Sequence, residues 1–218
     1  MCRGRRLRCV GGTGLERASG APGDAVVDQY ARCDSDDGPS PNTEKVLAIL
    51  EADKAKATFF FVGRRALGPQ QAFARDAVAQ GNEVGNHTWS HTRMNRVGPG
   101  TLGYQIDRAQ SVLASATGTA PLFMRPRSGK IDAKALSAVQ SRELILVLWS
   151  IHPSDVQPSP SPKVIVRRAT SGVGAGSIVL LHETNDNTVV ALPGILAELR
   201  RRGLRPVTLS QLMAHGTQ

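Results

Sequence analysis

Hydrophobic and polar positions along this chain alternate between two rhythms: short β-prone runs, and longer stretches with apolar residues three and four apart. Residues 25–33 predict the first strand, although Asp28, Gln29, Arg32 and the adjoining Asp34 are more polar than an interior strand requires. Pro39 and Pro41 with Asn42 and Thr43 then signal a helix start, and Val46, Leu47, Ile49 and Leu50 form one apolar stripe ending near Asp53. Residues 57–62 are the clearest strand, a continuous run that includes Phe59, Phe60 and Phe61. Downstream the pattern predicts a helix over 70–80 closed by Gly81, a strand over 82–86, a helix over 101–116, a strand over 122–124 and a helix over 132–140. A strand over 144–149, a helix over 162–170, a strand over 177–181, a helix over 189–202 closed by Gly203, a strand over 205–208 and a last helical stretch over 209–213 complete it. Such alternation builds parallel β/α units, whose chemistry collects at the C-terminal ends of the strands. Asp36, His87, Arg125, Trp149 and His182 each follow a predicted strand, so the pattern points to an α/β fold, a (β/α) barrel with a site at its mouth.

Composition changes this picture only at the N-terminal end. A length of 218 residues with 40% apolar content suits one domain with a sizeable core. Residues 1–24, rich in Arg and Gly, lack the continuous apolar segment of a secretory signal and read as a disordered basic arm ahead of a domain over 25–215. Over residues 1–19, Arg3, Arg5, Arg6, Arg8 and Arg17 stand against Glu16 alone, which accounts for +4 of the formal charge of +9. That charge raises the question of nucleic acid, but two Tyr and five Phe, three of the Phe in the predicted strand over 57–62, offer no stacking surface, and none is expected as a partner. Attraction to an anionic polymer or membrane surface fits the charge equally well. No stretch approaches the roughly 18 apolar residues of a membrane span. Cys2, Cys9 and Cys33 show no framework spacing and read as unpaired thiols; Cys33 adjoins the acidic cluster and so lies near any metal bound there.

The chemistry concentrates in Gly85-Asn86-His87-Thr88-Trp89-Ser90-His91-Thr92. On a helical turn, His87 and His91 at i and i+4 share a face, so both rings reach one cation. A catalytic divalent site takes three protein ligands and keeps a position open, so a carboxylate has to come from elsewhere. Asp34-Ser35-Asp36-Asp37-Gly38-Pro39 is the obvious donor, and Leu180-Leu181-His182 places a third histidine at a strand end.

Asp36-Asp37-Gly38-Pro39, Ala57-Thr58-Phe59-Phe60-Phe61-Val62-Gly63, His87-Thr88-Trp89-Ser90-His91, Arg125-Pro126-Arg127-Ser128-Gly129 and Leu180-Leu181-His182 resemble, in that order, the motifs of the polysaccharide deacetylases. This is the NodB-homology, carbohydrate esterase family 4 group, and the resemblance runs from about residue 26 to about residue 212. It implies a distorted barrel in which Asp37, His87 and His91 hold a divalent metal, zinc first and cobalt as an alternative. Asp36 is then the general base, Arg125 its partner, His182 the general acid and Asp155 the carboxylate that orients and charges that histidine. Leu180 would line the pocket for the acetyl methyl, and Trp149, Pro126 and Gly129 would contact substrate. The implied reaction removes acetyl groups from N-acetylated sugars of a chitin- or peptidoglycan-like polysaccharide. O-acetyl esters of xylan, or glycan binding without turnover, are the alternatives. A monomer acting on an acetylated carbohydrate, secreted or at the cell envelope, is the further expectation, with a cytoplasmic location left open by the missing signal. Three departures touch substrate handling. Asp34-Ser35 stands where the family has Thr-Phe, adding a carboxylate that raises its neighbours' pKa or competes for the metal. Arg127-Ser128 replaces Pro-Tyr, and Val156 replaces an aromatic.

Overall fold

The computed structural model describes residues 30–156, 158 and 160–215; the basic arm expected over 1–24 lies outside them. In chain order the main elements are β1 (Tyr30–Asp36), α1 (Thr43–Ala52), β2 (Thr58–Phe61), α2 (Gln71–Ala79), β3 (Glu83–Asn86), α3 (Pro99–Thr117) and β4 (Phe123–Met124). They continue with α4 (Ala133–Gln140), β5 (Ile145–Leu146), α5 (Pro162–Thr170), β6 (Ile178–His182), α6 (Asp186–Arg201), β7 (Arg205–Pro206) and α7 (Leu209–His215). The strands form one sheet in the order β5-β4-β3-β2-β1-β6, with β7 on the start of β1, and every pairing is parallel. After β5 the chain crosses to β6, where the amide of Ile151 donates to Ile178 O and Ile151 O accepts from Leu180, so the sheet curls toward closure. The result is a single-domain, distorted (β/α) barrel.

Alternation along the strands sorts side chains into two layers. Ala31 and Cys33 of β1, Phe59 and Phe61 of β2 and Val179 and Leu181 of β6 face outward. There they pack on Val46, Leu47 and Leu50 of α1, Ile165 of α5 and Ile195, Leu196 and Leu199 of α6. Phe60, Phe123, Val147 and Ile178 fill the interior, and Leu209 of α7 packs against them, its amide donating to Thr58 Oγ1. Gly85 is required beside this cluster, because a Cβ there would come within 2.6 Å of the Phe60 ring. A third cluster, Leu102 and Ile106 with Met124, Val139 and Leu146, seats α3 and α4 on the β4–β5 edge.

The first strand departs from the prediction. Residues 25–29 of the predicted 25–33 lie outside the described residues, and the strand continues past 33 to Asp36, so Asp34 and Asp36 are strand residues pointing into the barrel instead of loop residues beyond it. Register explains how this is tolerated: Asp34 sits beside Leu180 and Asp36 beside His182, and both carboxylates find a buried cation inside the barrel. Cys33, facing the helices, is far from a ligand's role; burial, with the charge of Asp34, pushes its thiol up to about 12. The strand predicted over 144–149 is regular only at Ile145–Leu146.

Candidate metal centre

Three side chains meet at the C-terminal mouth of β1 and β3. Asp37 Oδ1 lies 3.1 Å from His91 Nε2 and 3.5 Å from His87 Nε2, and the three atoms fall within 4.8 Å of one another. His87 Nδ1 lies 2.7 Å from the Arg125 carbonyl, to which the neutral ring donates, and this turns Nε2 as a lone pair toward Asp37. Asp37 Oδ1 is buried, and among the described residues no donor reaches it. A carboxylate oxygen and an imidazole lone pair therefore face each other without a proton between them, an arrangement that a divalent cation resolves. Burial, followed by the charge of His87, holds His91 down to about 4, which keeps its ring neutral and able to ligate. Burial alone would raise Asp37, but the imidazoles of His87, His91 and His182 around it outweigh that and hold it well below the ordinary carboxylate range.

The histidines do not ride on a helix. Residues 87–92 form an irregular loop with Thr88 at φ 66° and His91 at φ 58°, so the helical-turn reading of their spacing is corrected, while both rings still converge. The loop is clamped rather than wound. Asn86 Oδ1 accepts from the Thr88 amide, Gln105 takes the amides of Trp89 and Ser90, and Thr88 Oγ1 accepts from the Thr92 amide. Asp37 is itself at φ 70°, its carbonyl held by Arg65 Nη1. Non-glycine residues with left-handed backbone also include Ser128 and Ser154 on neighbouring loops, strain that only a well-braced site retains.

Behind the centre, Arg125 is fully buried over the face of Phe60 and bridges two carboxylates, Asp36 Oδ1 at 2.8 Å and Asp34 Oδ2 at 2.6 Å. Asp34 is thus paired with the arginine and stands outside the Asp37, His87 and His91 cluster. Asp36 Oδ2 faces the His87 side of the cluster, 3.8 Å from His87 Nε2. Burial disfavours the guanidinium charge, but Asp36 and Asp34 outweigh that and raise Arg125 above its ordinary value.

Opposite, His182 ends β6 with Nδ1 on Asp155 Oδ1 at 2.8 Å, while Asp155 Oδ2 accepts the His182 amide and Thr188 Oγ1, each at 2.8 Å. Nε2 is left for the mouth. Burial would lower His182; the hydrogen bond and charge of Asp155, then Asp36 and Asp37, reverse this and raise it. Trp149 is half-buried against Gly129, where a Cβ would meet its ring at 2.9 Å, and Pro126 is buried beneath the same turn with its carbonyl accepting from Gly129. Leu180 is buried inside the barrel, and Val156 is exposed. Glu183 carries no signal in the sequence beyond its place after His182. It is buried, and its carboxylate accepts from the hydroxyls of Ser35, Ser40 and Thr43 beneath the loop that carries Asp37.

Residues 35–146 match the family model described as polysaccharide deacetylase. The chain belongs to the polysaccharide deacetylase family. This is the family inferred from the five ordered motifs, one whose members in general depend on a divalent metal. The peptidoglycan-N-acetylglucosamine deacetylase of Bacillus cereus is 33% identical over 186 residues, covering 83% of this chain and 86% of that one. The peptidoglycan-N-acetylmuramic acid deacetylase PdaC of Bacillus subtilis is 33% identical over 178 residues; the match covers 81% of this deacetylase-family chain but only 37% of PdaC. The solved structure of PdaC superposes with a TM-score of 0.81 at 30% identity, covering 88% of this chain and 93% of that one. A family 4 carbohydrate esterase from Streptomyces lividans, solved with acetate, gives 0.77 at 31% identity, covering 82% of this chain and 91% of that one. The (β/α) barrel and the deacetylase family expected from the sequence are both borne out. No helix among the described residues is long and apolar enough to cross a membrane.

Proposed function

We propose that this chain removes acetyl groups from N-acetylated sugars of a cell-wall polysaccharide, and that Asp37, His87 and His91 hold zinc for the purpose. One observation carries the reading: three possible ligand atoms converge, one of them a buried carboxylate oxygen with no hydrogen-bond partner among the described residues, between an arginine-paired carboxylate and a carboxylate-paired imidazole. When bound, zinc supplies Lewis acidity toward the acyl oxygen and lowers the pKa of water. Asp36 is the base. Its Oδ1 is fixed by Arg125, which leaves Oδ2 to take a proton on the metal side. His182 is the acid, donating from Nε2 to the departing nitrogen because Nδ1 is committed to Asp155, whose charge favours the protonated ring. Trp149, Gly129 and Pro126 form the sugar side of the mouth, and Leu180 the floor toward the acetyl methyl. The relatives' peptidoglycan substrates support a site of action at the cell envelope.

The test pairs metal content with acetate release. Purified chain reconstituted with zinc is expected to carry one equivalent and to release acetate from chitooligosaccharide. His91→Ala is expected to lose the metal and at least about a hundredfold in rate. A full zinc complement in that variant refutes the ligand set. Release from acetylxylan alone would instead identify an O-acetyl esterase using the same groups, and zinc binding with release from neither would identify a glycan-binding member.

A further inference from the structure

We propose that His152, which the mechanism above does not use, is a substrate-contacting residue that holds the acetamido sugar through its ring face and its Nε2–H. The inference rests on the deacetylase reading and adds a specificity-determining residue to it. Three rings line one side of the mouth in sequence: Trp149 and His152 have centroids 5.8 Å apart, and His152 and His182 5.9 Å apart with their planes at 67°. Trp149 is half-buried and His182 mostly covered, whereas His152 is exposed, so it forms the part of the wall that faces an incoming ligand. A sugar whose nitrogen takes the His182 proton lies within reach of the adjoining ring.

Its orientation is built. The Ser154 amide donates to His152 Nδ1 at 3.0 Å, which puts the remaining proton of the neutral ring on Nε2 and makes that atom a donor. Ser154 reaches this position only with a left-handed backbone, φ 54°, a conformation that costs a non-glycine residue energy. The preceding Pro153 is buried, and its carbonyl accepts from Arg168 Nη1, which anchors the turn. Asp155 follows directly and holds His182, so the same short segment sets both rings. A donor beside an aromatic face suits a sugar hydroxyl or ring oxygen with the pyranose face laid against it. It also supplies a ring to a mouth in which Ser128 and the exposed Val156 offer none.

The experiment compares zinc-loaded wild type with His152→Ala, His152→Phe and His152→Gln on chitotetraose, measuring KM, kcat, zinc content and thermal midpoint. His152→Ala is expected to raise KM about tenfold with kcat within about threefold, zinc content and midpoint unchanged. His152→Phe, which keeps the ring, and His152→Gln, which keeps a donor, should each recover part of the loss. An unchanged KM in His152→Ala overturns the proposal, and so does a fall in kcat alone, which would mean that the ring acts through His182. If wild type releases no acetate the deacetylase reading fails, and calorimetric binding of chitotetraose then decides this one. Binding about fivefold weaker in His152→Ala supports it; equal binding, or none to wild type, overturns it.

Discussion

Asp155 accepts from two donors of one residue, the ring Nδ1–H and the amide of His182, and from the Thr188 hydroxyl besides. The amide bond fixes where β6 ends, and the ring bond fixes the tautomer, so a single carboxylate sets both the position and the charge of the proposed acid. Asp155 can do this because His182 and Thr188 hold it below its ordinary value against the opposing effect of burial. Asp155→Asn removes the charge and one of the two acceptor oxygens, so either the His182 amide or its ring Nδ1–H loses its partner, burial is no longer outweighed to the same degree, and His182 titrates lower. The alkaline limb of kcat/KM is therefore expected to move to lower pH, with activity at pH 8 down by about a hundredfold. A limb that stays in place would show that His182 does not supply the proton. The linkage sign agrees: His182 is raised above 6.5, so its pairing contributes fully to stability below about pH 6.5 and is lost as pH rises through the raised value.

At the scale of elements, Glu183 ties the end of β6 to the start of α1 and to the strand carrying Asp36. Three hydroxyls donate to its carboxylate, and Asn42 Nδ2 donates to its carbonyl. Gly38 must lack a side chain here, since a Cβ would overlap both Glu183 Oε1 and the Phe61 ring. Burial pushes Glu183 up to about 7, the hydroxyls only partly offsetting it. A folded value of about 7 against 4.5 when unfolded means that its contribution is fully present below pH 4.5 and lost as pH rises through 7. Glu183→Gln, neutral throughout, should remove that slope. Its thermal midpoint is expected to gain on wild type between pH 4.5 and 7, by the equivalent of about 3 kcal/mol. Parallel curves for the two proteins would refute it. This tether was not legible in the sequence, because serine, threonine and a glutamate after a strand are ordinary loop residues until the fold closes over them. The loop holding His87 and His91 was misread for a related reason. Their i, i+4 spacing is a helical signature only where the backbone is helical, and here Asn86 and Gln105 bend it instead.

For the whole molecule, the sequence was legible wherever apolar periodicity sets the structure. The run 57–62 and the helices over 101–116 and 162–170 folded nearly as their patterns predicted, and parallel order followed from alternation alone. Legibility failed at β1, where Asp34 and Asp36 made an interior strand look like a loop, because their counter-charge Arg125 is about ninety residues away. The same long-range closure predicts a stabilising role for the proposed metal. Asp37 stands at the end of β1, while His87 and His91 follow β3 on the far side of β2, so one ion would bridge segments joined by some fifty residues of chain. An unfolded chain offers no such site, and an ion bound only by the folded state stabilises it by about 2.7 kcal/mol at a hundred times Kd. For a domain of this size that corresponds to a rise in thermal midpoint of about 5–10 °C on adding zinc, reversed by a chelator. His91→Ala and Asp37→Ala should each abolish the rise. Scanning calorimetry that finds the same increment in either variant would place the bound ion elsewhere and remove the physical basis for the centre.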